Sequence, residues 1–348
     1  MTMNPVRRAA TALLIFGCLA TTASAADIRI GVAEALSGPA AQYGVSAKNG
    51  FMLAAEQINA KGGINGNRIT LVIEDEQGKK EEAINVFKKL AFQDKVLMIF
   101  GPTLSNSAFA ADPIANQAKL VIFGTSNTAN GITNIGPFVF RNSVMESDVL
   151  PYTIRAAVKR FNVRKVAVIY GNDDAFTRSG YDVFKQVLAD QKIAVTDTET
   201  YAKGDVDFKA QLTKIKSSNP DAIVCSCLAE EAANIMIQSR GLGIKVPFIG
   251  GNGFNSPKLF EISRQAANDS IMGSPWSAEN KTLANKAFME AYQKKFSVAP
   301  NQFAAQAYDA MYIVAEALKK MTPGGDLAVD RLALRNALPA VQIDGATG

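Results

Sequence analysis

Short apolar runs separated by amphipathic stretches recur along this chain at a spacing that suits parallel β-sheets covered by helices. Strands are expected at residues 28–33, 69–73, 96–100 and 120–123, and a second series at 165–170, 193–198, 222–227 and 246–249. Most of these runs are continuously apolar, as strands buried on both faces are. Helices are expected between them. Residues 47–60 put Phe51, Ala54, Ala55 and Ile58 on one face, with Gly62 and Gly63 as the stop; 81–92 put Ile84, Phe87 and Leu90 on one face. Residues 181–190 and 208–216 repeat the pattern in the second series. The fold class is therefore α/β: one doubly wound architecture used twice, giving two lobes joined by more than one strand. Residues 138–148 are read as an extended crossover. Two long helices, 284–296 and 303–321, are expected to return over the first sheet. Open parallel sheets bind ligands beyond the carboxyl ends of their strands, so the cleft between the lobes is the expected site.

The first 25 residues are read as a leader and not as structure. Arg7 and Arg8 precede an apolar run at 9–20, too short to span a bilayer, and Ala23-Ser24-Ala25 is a small-x-small cleavage site before Ala26. A buried N-terminal helix and a lipoprotein attached through Cys18 are the alternatives. Losing the two arginines lowers the net charge from +5 to +3, too mild a value to argue for nucleic acid. No later run of 18 apolar residues is present, so the mature chain is expected to be soluble. Cys225 and Cys227 would share one face of a strand near the upper limit for bridging, and are read as small buried residues. The chain has no histidine, which removes the commonest general base and leaves the Cys-x-Cys pair a poor zinc site. No cofactor and no metal are expected.

Loops that follow strands hold the candidate binding residues. Tyr43, in the 34–44 loop, offers a ring face and a hydroxyl, or is an exposed turn residue. Ser105, in the 101–107 loop, is a plausible N-cap, and the helix it opens would present free N–H groups to a carboxylate. Ser126, Asn127 and Thr128 follow the strand at 120–123 and supply hydroxyl and backbone hydrogen bonds, or form an ordinary polar turn. Phe176 could close over an apolar ligand, and Asn252, in a glycine-rich loop, can both donate and accept. No dinucleotide fingerprint or Walker A pattern is found.

These loops carry a resemblance. Leu36-Ser37-Gly38-Pro39-Ala40-Ala41-Gln42-Tyr43-Gly44 and Ile58-Asn59-Ala60-Lys61-Gly62-Gly63-Ile64-Asn65-Gly66, with the loops at 101–107 and 125–128, resemble the periplasmic substrate-binding proteins of branched-chain amino acid ABC transporters, the Leu/Ile/Val-binding protein family. The match covers residues 28–348. It implies the type I periplasmic-binding fold, with lobe 1 at 26–145 plus 275–348 and lobe 2 at 146–274. It also implies a carboxylate held by Ser105 and by Ser126, Asn127 and Thr128, an aromatic wall at Tyr43 and Phe176, and a contact from Tyr308 or Asp309. Two positions depart from the family. Asn252 stands where amino-acid binders carry a glutamate for the ligand's ammonium, and Leu228 stands where they carry a tyrosine. These departures point to a pocket for an aromatic or aliphatic acid or an amide, unless Asp309 or Asp174 replaces the charge. The first-lobe disulfide that some members carry has no cysteines here, and members usually continue past the position of Gly348 with another crossing strand.

The function these features imply is a periplasmic receptor, acting as a monomer, that hands its ligand to an ABC permease and ATPase in the inner membrane. A ligand-sensing module for a signalling receptor is the alternative. An exported enzyme using Glu34, Asp75, Asp173 or Asp174 lacks a nucleophile–base pair.

Overall fold

The computed structural model describes residues 27–321 and 325–348. The leader and Cys18 lie outside the described residues. The first half runs β1 (Asp27–Glu34), α1 (Ala41–Ala60), β2 (Arg68–Asp75), α2 (Lys80–Lys88), β3 (Met98–Phe100), α3 (Ser105–Gln117), β4 (Val121–Gly124) and β5 (Val139–Arg141). The second runs α4 (Glu146–Phe161), β6 (Lys165–Gly171), α5 (Ala175–Asp190), β7 (Ala194–Tyr201), α6 (Lys209–Ser217), β8 (Ala222–Ser226), α7 (Ala229–Gly241), β9 (Phe248–Gly250), α8 (Pro257–Ser263) and β10 (Ile271–Met272). Three helices close the chain: α9 (Leu283–Phe296), α10 (Gln302–Lys319) and α11 (Leu327–Ala337).

The first sheet has the order β2-β1-β3-β4-β5 and the second β10-β9-β8-β6-β7. All pairings between these strands are parallel. Counted within its own series, the second order repeats the first, so one winding is used twice. Each sheet reverses direction once, between β1 and β3 and between β6 and β8. Ligand sites of doubly wound sheets form at such switch points.

Alternation along the strands explains the layers. Met98 and Phe100 point to the face covered by α1 and α10, with Phe51, Met311 and Val314. Ile99 points to the face covered by α2 and α3, with Phe87, Leu90 and Ala111. The second sheet is covered by α6 and α7 on one face and α4 and α5 on the other. Burying each large apolar side chain in these layers stabilises the fold by ~1.5–3 kcal/mol. The expected return over the first sheet is made by α10, while α9 packs on α1 and α10 through Phe288, Tyr292 and Leu53.

Four expectations are corrected. α1 begins at Ala41 and not at 47, so Tyr43 is helical and not a loop residue. Alanines at 40, 41 and 47 favour the helix, and Gly44 is needed inside it because a Cβ there would lie 2.2 Å from the Ala35 carbonyl oxygen. The crossover is shorter than 138–148: α4 starts at Glu146, and the acidic Asp148 in its first turn suits a helix N-terminus. Beyond Lys88 the second helix widens into a π-helical turn to Gln93 and leaves Phe92 exposed. Finally, Cys225 and Cys227 are bridged and not free. β8 ends at Ser226, and the chain's bend there brings the two α-carbons to 5.4 Å, inside bridging range. Among the described residues no helix is long and apolar enough to cross a membrane.

Candidate functional site

The loop leaving β3 begins at Gly101, whose φ of +111° favours glycine and whose missing Cβ would lie 2.0 Å from the Ala33 carbonyl oxygen. That close approach sets Thr103 against the end of β1. Its hydroxyl donates to Glu34 and accepts from the Ala35 N–H at 2.8 Å. The loop after β4 is tied to the same segment: Ser126 Oγ donates to Thr103 O at 2.7 Å and Asn127 Nδ2 to Pro102 O at 2.8 Å. Ser105 is not the N-cap expected of it. Leu104 occupies that place without a side-chain bond, and Ser105 is the first helical residue. Its hydroxyl accepts from the Ala129 N–H at 3.2 Å and keeps its own proton to donate. The first-turn N–H groups of α3 thus lack a capping side chain.

A small cavity lies where these loops meet the second sheet's loops. Tyr43, Thr103, Leu104, Ser105, Ser126 and Asn127 line it from the first side, Phe176, Leu228, Asn252 and Gly253 from the second, and Phe303 from the start of α10. Its volume is about 20 Å³, the room of a water molecule or so. Six of the nine residues expected at the site are therefore brought together. Thr128 is buried beside them with an unpartnered hydroxyl but does not line the cavity.

Tyr308 and Asp309 are placed elsewhere. Counted from Phe303, they sit ~140° and ~240° around α10 and about 7–9 Å along it. Tyr308 donates to Gln57 at 2.7 Å, and Asp309 accepts from the N–H groups of Ala346 and Thr347 at 2.8 Å. Asp174 does not replace a cavity charge either. It caps α5 at the Thr177 N–H and accepts from Asn106 Nδ2 at 2.7 Å.

Two cavity residues also hold the halves together. The Tyr43 hydroxyl donates to Gly253 O and accepts from the Ala229 N–H, both at 2.8 Å. Its ring meets Phe303 edge-on at 5.0 Å, and burial pushes its pKa up. Asn252 donates through Nδ2 to Ser126 O at 3.0 Å, accepts from Gln302 through Oδ1, and gives its backbone N–H to Glu146 at 2.9 Å. Three carboxyl groups lie buried behind the cavity. Desolvation raises Glu34 to about 8, with Thr103 partly opposing and Glu76 adding to it. Desolvation likewise raises Glu76 and Glu146 to about 7.

Sequence reasoning missed Thr103, Leu104, Phe303 and Glu146. Thr103 and Leu104 had a signal, since they stand in the same strand-end loop as Ser105. Phe303 and Glu146 had none, because each starts a helix far along the chain and meets the site only through packing. Glu34, Asp75 and Asp173, the carboxylates weighed for chemistry, are engaged in the frame: Asp75 accepts from the Leu36 and Gln77 N–H groups and Asp173 from that of Lys203. Among the described residues no group of three acidic or cysteine side chains could hold a metal ion.

Comparison with known proteins adds to this geometry. The model of a family described as periplasmic binding protein matches residues 27–348. The Leu/Ile/Val-binding protein BraC3 of Rhizobium johnstonii is 27% identical over 341 residues, covering 97% of this chain and 90% of that protein. The solved structure of the branched-chain amino acid transporter substrate-binding protein LivJ of Streptococcus pneumoniae, in complex with isoleucine, is 31% identical with a TM-score of 0.86, covering 92% of this chain and 90% of that one. The leucine-binding protein LivK of Thermotoga maritima is 25% identical with a TM-score of 0.85 over the same shares.

Proposed function

We propose that this chain, which belongs to the periplasmic binding protein family, captures a small carboxylate-bearing solute between two lobes and delivers it to an ABC importer. One observation carries the reading: the switch points of two identically wound sheets face each other across a cavity lined from both sides. The lobes divide as 26–145 plus 275–348 and 146–274, with the chain crossing after β5 and after β10. The carboxylate would lie at the open N-terminus of α3, where the dipole and free N–H groups favour an anion. Ser105 would donate its hydroxyl there, with Ser126, Asn127 and Thr128 alongside. Tyr43, Phe176 and Phe303 would wall the rest of that cavity.

Closure follows from contacts that exist only when the lobes meet, as those of Tyr43 and Asn252 do. The permease and its ATPase then read the closed form, and the receptor acts as a monomer in the periplasm after the leader is cut before Ala26. The names and ligands of its relatives support an aliphatic ligand; the amide at Asn252 speaks for acids that lack a neighbouring ammonium. Isothermal titration of the purified protein against amino acids, aliphatic and aromatic acids and amides tests the reading. Saturable binding of a carboxylate is expected, and a folded protein that binds none overturns it.

A further inference from the structure

The cleft holds a second hollow. It measures about 560 Å³ against about 20 Å³ for the inner cavity. Ala40 and Gly78 line it from the first lobe, Lys203, Glu231 and Asn234 from the second. Leu104 and Leu228 line both hollows and form the partition between them. Small-molecule sites run to ≈ 300–1,000 Å³. The outer hollow reaches that size and the inner one accepts only a small polar head, so room for the body of an organic ligand lies beyond the two leucines.

The outer wall carries three carboxylates, Asp205, Glu230 and Glu231, against two ammonium groups, Lys79 and Lys203. Glu231 is half-buried in the first turn of α7. Burial pushes its pKa up, the carboxylates of Glu230 and Asp174 add to that, and Lys203 offsets them in part. The Lys203 ammonium is itself drawn across the cleft, donating to Gly78 O at 3.3 Å. A half-buried carboxylate beside like charges favours a cation or a strong donor in the hollow next to it.

We propose that the ligand is elongated, with its carboxylate in the inner cavity, an aliphatic middle between Leu104 and Leu228, and an amine or amide at its far end beside Glu231. This rests on the carboxylate-receptor reading above and deepens it. An α-amino acid carries its ammonium beside the carboxylate, where the inner cavity offers Asn252 in place of an acid. An ω-amino acid carries it at the other end, where the outer hollow offers Glu231.

Calorimetric titration with ε-aminocaproate, caproate and leucine tests the inference on the purified protein. Binding of ε-aminocaproate at least tenfold tighter than either of the others is expected, and Glu231→Gln should bring it down to the level of caproate. Leu228→Phe, which narrows the passage, should weaken ε-aminocaproate by tenfold or more and supplies the test if the Glu231 variant does not fold. Equal binding of caproate, or tightest binding of leucine, overturns the elongated ligand and leaves the carboxylate receptor standing. Failure of every carboxylate in a wider panel, with the fold intact, overturns the receptor reading and the inference together.

Discussion

Tyr43 and Asn252 show how single residues acquire a second role on folding. Both line the cavity, and both hydrogen-bond across the cleft. Tyr43→Phe removes a donor for Gly253 O and the acceptor of the Ala229 N–H, leaving two buried backbone groups unpaired. A buried unpaired group costs about 1–3 kcal/mol, and 1.4 kcal/mol is a factor of ten. If those bonds form only on closure, ligand affinity should fall by roughly tenfold or more while the open lobes stay intact; titration with parallel melting curves checks this. Asn252→Glu exchanges a neutral amide for a carboxylate beside the carboxylate end of the site. It should shift preference by about tenfold toward ligands whose ammonium neighbours the carboxylate, on the scale of a charge-assisted hydrogen bond. A leucine-to-caproate affinity ratio that does not move means that Asn252 does not face the ligand's charged end.

At the scale of elements, three buried acids brace the segments around the cavity: Glu34 accepts from Thr103, Glu76 from Ser107 and Glu146 from the Asn252 N–H. Glu34, Glu76 and Glu146 are raised to about 8, 7 and 7, chiefly by desolvation. In the unfolded chain each ionises from its ordinary value of 4.5 upward. Between these values the folded state binds more protons than the unfolded one, so this contribution to stability is full below about pH 4.5 and is lost as pH rises to about 8. Glu34→Gln keeps an acceptor for Thr103 and cannot ionise. Relative to the parent it should gain stability at pH 8.5 and show no gain at pH 4, read from melting temperatures; a parallel shift at both pH values would show that Glu34 is not held neutral. Burial made these acids unusual, and nothing in their local sequence marks them. The bridge between Cys225 and Cys227 depends instead on where the strand stops: a strand read to continue through 227 keeps the sulfurs apart, and one that ends at Ser226 brings them together.

Across the whole molecule, stability and function share the packing of α1 and α10 on the first sheet. Phe51 is fully buried there, stacked on Phe100 at 4.3 Å. Phe51→Ala should cost about 3–5 kcal/mol, measured by denaturant unfolding, and a saturating ligand should restore ~2.7 kcal/mol at a hundred times its Kd. The rhythm of apolar runs determined the two α/β halves, because strand and helix periods are local properties of the chain. Motif spacing likewise marked Ser105, Ser126, Asn127, Phe176 and Asn252 as strand-end residues, and all five line the cavity. The tertiary structure alone decided that Tyr308 and Asp309 turn away along α10, that Phe303 enters in their place, and that Leu104 and Leu228 divide the cleft into a small and a large hollow. Which face of a helix meets the cleft, and how far apart two lobes stand, depend on contacts between residues remote in sequence, and no local pattern encodes those.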